Sequence, residues 1–187
     1  MKLFELDKKP HPLTVEQYMA LDIPERTELL GGVIYDVPPK HYPHAFAVAN
    51  LTQIIARAID VDKYFVHSQN PIAVNGWQGK DAPEIDVAVV AKKSYRRTPT
   101  AADSLAFVEV SDSTYRDDRG YKIPLYVKAG VPSWIVNIPL RQVELYESPL
   151  DLKRKHGRII AIDGSFEILG MTIRVSDLFL PDSDGDA

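Results

Sequence analysis

Three residues in this sequence carry chemistry that their surroundings do not explain. Asp86 lies in EIDVAVVA, residues 84–91, a stretch that is otherwise apolar except for Glu84. Glu109 repeats the anomaly between Val108 and Val110, inside the apolar run 106–110. Lys122 follows across a polar turn, at the start of the next helical stretch. A carboxylate on a central strand is costly to desolvate unless it is paired with a cation or ligates a metal.

Neighbouring strands lie about 4.8 Å apart, so carboxylates at similar heights on two of them can share one cation. The chain has no cysteine, which removes disulfides and thiolate ligands and leaves oxygen or histidine to hold a metal. Two hard oxygen ligands suit Mg²⁺ or Mn²⁺ better than Zn²⁺. The backbone carbonyl of Val110 would complete the protein's share of the coordination sphere. Such an ion lowers the pKa of a bound water and neutralises charge on a phosphate under attack. Lys122 would orient the hydroxide or stabilise the added negative charge. On the residues alone a second reading stands beside this one: two buried acids and a lysine forming an internal ion pair without catalytic meaning.

The elements that must position these residues follow from patterning. Residues 84–91 and 106–110 are apolar enough to be central strands covered on both faces, and residues 134–138 form a third. Glu84 shares the face of Asp86 by the period of two. Between the second and third strands a helix is expected from about Arg119 to Ala129, ended by Gly130 and Pro132. Pro124 sets its start near Gly120, because only in a first turn does proline cost no hydrogen bond. Asp117 and Asp118 read as caps for that helix.

Upstream, Thr14 and Gln17 form a capping box for a short helix over residues 13–20, and residues 24–28 continue it as a turn or second short helix. Residues 27–39 read as a strand turned at Gly31-Gly32 and closed by two prolines. Residues 44–60 carry an apolar stripe at helical spacing, with His44 as a capping or surface residue. Short strands are expected at 64–67 and 71–74. Residues 142–147 alternate like a solvent-faced strand, and three further short strands are expected over 158–175. Tyr126 and Trp134 read as core aromatics.

At 187 residues, 45% hydrophobic and 26% charged, the chain suits a single domain, 1–187, with a core over about 13–180 and loose termini at 1–12 and 181–187. No apolar run is long enough to cross a membrane and no signal peptide is visible, so a cytoplasmic, soluble protein is expected. The net charge of −4 gives nucleic-acid binding no global support. Two local basic patches, Lys92, Lys93, Arg96 and Arg97, and Lys153, Arg154, Lys155, His156 and Arg158, read most simply as solvated loops. Ser111 and Ser113 have no nearby histidine for serine hydrolysis. No glycine-rich phosphate loop or organic-cofactor motif follows a strand.

The stretches PEIDVAVV, FVEVSDSTYRDDRGYKIPLYVKAGVPSWIVN and QVELYES, with TELLGGVIYDVPP and His44 upstream, resemble the Uma-two family of restriction endonucleases within the PD-(D/E)XK nuclease superfamily. The likeness covers roughly residues 14–180. It implies an α/β fold with a restriction-endonuclease-like mixed central sheet flanked by helices, here with extra C-terminal β-strands. It also implies Mg²⁺- or Mn²⁺-dependent hydrolysis of DNA, with Asp86 and Glu109 as metal ligands, Lys122 as catalytic lysine and Glu28 as accessory acid. Two departures stand out. Ser111 replaces the usual lysine two residues after the glutamate, and the Pro-Asp pair is opened to Pro83-Glu84-Ile85-Asp86, so Glu84 competes with Asp86 as ligand.

The resulting expectation is a Mg²⁺-dependent endodeoxyribonuclease, working as a homodimer because cutting both strands favours two sites. A nuclease-fold module that binds DNA or protein without catalysis, and a metal-dependent phosphoesterase on a small substrate, are the alternatives. The acidic balance favours the last of these, since a small substrate needs less electrostatic steering.

Overall fold

The computed structural model describes residues 2–3, 12–23, 26–154 and 157–181. Most of the expected loose lead-in, nearly all of the acidic tail, Pro24 and Glu25, and Lys155 and His156 of the second basic patch lie outside them. Among the described residues the main sheet has six strands: β4 (Tyr64–Pro71), β5 (Glu84–Ala91), β6 (Ser104–Ser111), β7 (Ser133–Asn137), β8 (Gln142–Tyr146) and β9 (Arg158–Ile160). They lie side by side in chain order. All neighbours are antiparallel except β6 and β7, which run parallel. That pair requires a crossover, and residues 112–132 provide it. A small sheet, β1 (Lys2–Leu3), β3 (Val33–Asp36) and β2 (Thr27–Leu30), and a hairpin, β10 (Ser165–Ile168) with β11 (Met171–Arg174), complete the strands. The fold is a mixed α/β architecture around this central sheet.

Alternation along the strands divides the core in two. One face packs Val87, Val89, Val108, Val110, Trp134 and Val136 against helix α2 (Tyr42–Ala58) and the β10–β11 hairpin. The other face packs Ala88, Phe107, Ile135 and Tyr146 against Ile123, Tyr126 and Val127 of the crossover helix. Phe107 and Tyr126 meet edge to face at 4.9 Å, a geometry worth about 0.5–1.5 kcal/mol beyond area burial. A third, smaller cluster joins Val15 and Tyr18 of helix α1 (Val15–Met19) to Leu29 and Ile34 of the small sheet. The capping box of Thr14 and Gln17 is present on α1. No helix among the described residues is long and apolar enough to cross a membrane.

Four expectations are corrected. Glu28 lies on strand β2, not at the end of a helical segment. The strand expected at 64–67 runs on to Pro71 as β4, with Gln69 at φ 49°, and the strand expected at 71–74 is absent beyond Pro71, where Ala73 makes only an isolated bridge to Thr100. β8 is not solvent-faced: Val143 and Leu145 pack under Phe166 and Ile168 of the hairpin, while Glu144 is buried beneath the hydroxyls of Tyr115 and Tyr146. Its alternating pattern is real, but both faces are covered.

The fourth correction concerns the crossover helix, which begins before Gly120. α3 (Tyr115–Asp117) leads into a π-helical turn, Asp118–Lys122, and then α4 (Ile123–Lys128). Within the turn Ile123 N–H reaches the Asp118 carbonyl, five residues back. Widening the helix just before Pro124 absorbs the missing donor and the ring's crowding of the preceding turn. Proline therefore marks a π-bulge rather than the helix start.

Candidate active site

The site forms where β5 and β6 part company. Their last aligned pair on this side is Val87 with Val108. Beyond it the Val110 N–H donates to Asp86 Oδ2 at 2.9 Å, so a side chain takes the place of a ladder carbonyl. His44, in the first turn of α2, brings Nε2 within 3.1 Å of the same oxygen. Both contacts end on Oδ2, and Oδ1 is buried with no hydrogen-bond partner. The nearest cation to Oδ1 is Lys40 Nζ at 3.7 Å. Burial pushes the Asp86 carboxyl up, but the His44 hydrogen bond and the charges of Lys40, His44 and Lys122 outweigh it and hold the group at about 2.

Glu109, on β6, is 2% exposed and accepts the Tyr126 hydroxyl. Burial raises its carboxyl well above the usual range; Lys122 opposes this, and the charges of Asp118 and Asp86 add to it. Lys122 ends the π-helical turn and is 7% exposed. Its Nζ lies 2.9 Å from Glu28 Oε2 and 3.3 Å from the Glu84 carbonyl. Glu109 Oε1 and Asp118 Oδ1 stand farther off, each at 3.8 Å. Desolvation lowers the ammonium's pKa, yet the four carboxylates around it raise it well above the usual lysine value. An ammonium has three donors, so one N–H of Lys122 remains beyond its two close acceptors.

Asp118 is buried, with Oδ2 accepting from Ser111 (2.7 Å) and Thr114 (2.6 Å). It does not cap the helix; it faces Lys122 one turn away, and burial raises its carboxyl. Glu84 is engaged elsewhere. Arg26 grips its two oxygens, and its own N–H donates to Glu28 at 3.2 Å. The competition between Glu84 and Asp86 for a cation thus meets an unequal environment, because Glu84 already has a guanidinium and Asp86 Oδ1 has no donor.

A cavity of about 540 Å³ opens beside Glu28, Glu84, Asp118 and Lys122. Its charged lining comprises Glu28, Asp36, Glu84, Asp117 and Asp118, with Lys40 and Lys122 as the cations. The donor chemistry fits a hard divalent cation: carboxylates outnumber lysines, and one buried carboxylate oxygen lacks a donor. Among the described residues no three acids or histidines close into a coordination sphere, and Lys40 and Lys122 lie within 4 Å of Asp86 and Glu109 respectively.

The structure brings Asp86, Glu109, Val110, Lys122 and Glu28 together from four chain segments. It adds His44, Asp118 and Tyr126, which the sequence left as surface, cap or core, and Lys40, which the sequence did not single out. Only the spacing of Asp118 four residues before Lys122 offered a signal, since that spacing stacks two side chains on one helical face. His44 and Lys40 had none, because their partner Asp86 is distant in sequence.

A mixed sheet with helices on both sides, acids on two adjacent central strands and a lysine facing them from the crossover helix defines a restriction-endonuclease-like α/β architecture. The chain belongs to the Uma2 family, described as "Putative restriction endonuclease", whose model matches residues 15–166. A solved structure with similar fold is a putative nuclease belonging to DUF820 from Anabaena variabilis ATCC 29413. It is 14% identical, with a TM-score of 0.67 over 90% of this chain and 98% of that one. No curated protein matches the chain.

Proposed function

We propose that this protein is a metal-dependent endonuclease that hydrolyses DNA phosphodiester bonds, with Asp86, Glu109 and Lys122 as its catalytic residues and Glu28 as the accessory acid. The observation that carries the reading is the orientation of Asp86, whose hydrogen bonds all fall on Oδ2 and leave Oδ1 with only the Lys40 charge at 3.7 Å. Family membership supports the substrate class. Asp86, Glu109 and the Val110 carbonyl would hold Mg²⁺ or Mn²⁺. Such an ion supplies an acidified water and charge neutralisation at the phosphate.

The chain's own groups do the rest. Glu28 and the Glu84 carbonyl fix the Lys122 ammonium, so its remaining N–H is presented without side-chain reorganisation. That donor steadies a phosphate oxygen as negative charge builds on it. Burial raises the Glu109 carboxyl above its ordinary range and Lys122 opposes that rise, so a cation held beside it would favour its charged form further. A homodimer, presenting two such sites to the two strands of a duplex, belongs to the same reading.

The test is nicking of supercoiled plasmid in Mg²⁺ or Mn²⁺. Cleavage should vanish with a chelator and in Asp86→Asn, Glu109→Gln and Lys122→Met. Activity that persists at wild-type rate in Asp86→Asn would overturn the assignment.

A further inference from the structure

The two lysines on the cavity wall are held very differently. Lys122 has two close acceptors and three carboxylates within 3.8 Å of its Nζ. Lys40 makes no hydrogen bond among the described residues. Its ion pair with Asp86 Oδ1 spans 3.7 Å, which is a charge contact and not a hydrogen bond. It lies on the segment that lines both the main cavity and a small recess beside it, directly before α2. The start of α2 has no side-chain cap and no acid in its first turn, so its free amides add to the preference for an anion there.

We infer that Lys40 is a displaceable counter-ion: it neutralises Asp86 Oδ1 when no divalent cation is held, and it turns to a backbone phosphate of the nucleic-acid substrate when one is. The inference rests on the reading of Asp86 as a cation ligand. A divalent ion on Oδ1 repels an ammonium that close even at the screened dielectric of a protein surface. The four-carbon stem then lets the ammonium swing into the cavity without moving the backbone. Acids dominate the cavity's charged groups, and Lys122 has one N–H to give from a fixed position, so Lys40 is the lining cation able to move towards an incoming phosphate. Metal loading would thereby raise affinity for the substrate.

Calorimetric titration with Mn²⁺ alone separates the possibilities, using wild type, Lys40→Met, Lys40→Arg and Asp86→Asn, with melting temperatures as a check on folding. Lys40→Met should bind Mn²⁺ at least about tenfold more tightly than wild type, and Lys40→Arg close to wild type. A duplex oligonucleotide held uncut in Ca²⁺ should bind Lys40→Met severalfold more weakly, with the salt slope shallower by about 0.9. Mn²⁺ affinity in Lys40→Met equal to or weaker than wild type overturns the inference; if Asp86→Asn still abolishes uptake, the proposed function is untouched. Failure of wild type itself to take up Mn²⁺ overturns both.

Discussion

Lys122 Nζ lies 2.9 Å from Glu28 Oε2, and this contact joins the π-helical turn to the small sheet. Both side chains are buried, and Glu28 also accepts the Glu84 N–H. The lysine is therefore the positive centre of a cluster in which Glu28, Glu109 and Asp118 would otherwise repel one another.

Removing that centre should cost more than any single hydrogen bond. Lys122→Met is expected to destabilise the protein by about 3–5 kcal/mol, because buried carboxylates are left uncompensated. Chemical denaturation at neutral pH measures this. Adding Glu28→Gln and Asp118→Asn to Lys122→Met should recover part of the loss, and no recovery would show that the charges are not its source.

Stability should depend on pH in a direction set by the raised carboxyls. Glu109, Asp118 and Glu84 all sit above their ordinary values through burial. Their protonation stabilises the fold; the contribution is fully present below the usual carboxylate pKa and is lost as pH rises through the raised values. Asp86 works the other way: held at about 2, it stabilises above its ordinary 3.8 and that contribution fades as pH falls through about 2. With chelator present, the melting temperature should rise as pH falls from 7.5 to about 5 and drop again below about 4. In Glu109→Gln the first limb should flatten.

His44 should matter through Asp86. Its Nε2 contact and the Val110 N–H together set which carboxylate oxygen stays bare. His44→Ala should weaken Mn²⁺ binding by about 10–100-fold, the usual cost of losing an orienting partner behind a ligand. Calorimetric titration with Mn²⁺ reads this directly, and an unchanged affinity would mean that Val110 alone orients the carboxylate.

Tyr121 offers a test of how the two halves of the site are kept in register. From the π-helical turn its hydroxyl donates to Asp81 Oδ1 at 2.6 Å, and that oxygen also accepts the Gly31 N–H at 2.8 Å. Gly31 sits at φ 58° in the turn that joins β2 to β3. Tyr121→Phe should cost about 1 kcal/mol by denaturation, since a charge-assisted bond is lost at a partly exposed site. Gly31→Ala should cost about as much, from left-handed backbone strain and a Cβ 3.3 Å from the Tyr121 hydroxyl.

The sequence by itself determined the central strands, the amphipathic helix, the glycine turn and the anomalous acids, because strand and helix periods and the cost of burying charge are local properties. It also determined that Lys122 lies near the end of the strand carrying Glu109, since the connection between them is short. Tertiary structure alone decided the rest. Pro124 could be met by starting a helix or by widening one, and only packing of Ile123, Tyr126 and Val127 on the sheet selected the π-bulge. Helix spacing put Asp118 beside Lys122, but whether it capped a helix or faced the ammonium depended on burial. His44 and Lys40 became partners of Asp86 because α2 packs across the strands that hold it. Contacts between residues so far apart in the chain leave no local periodicity to read, and they settle which oxygen of Asp86 remains bare.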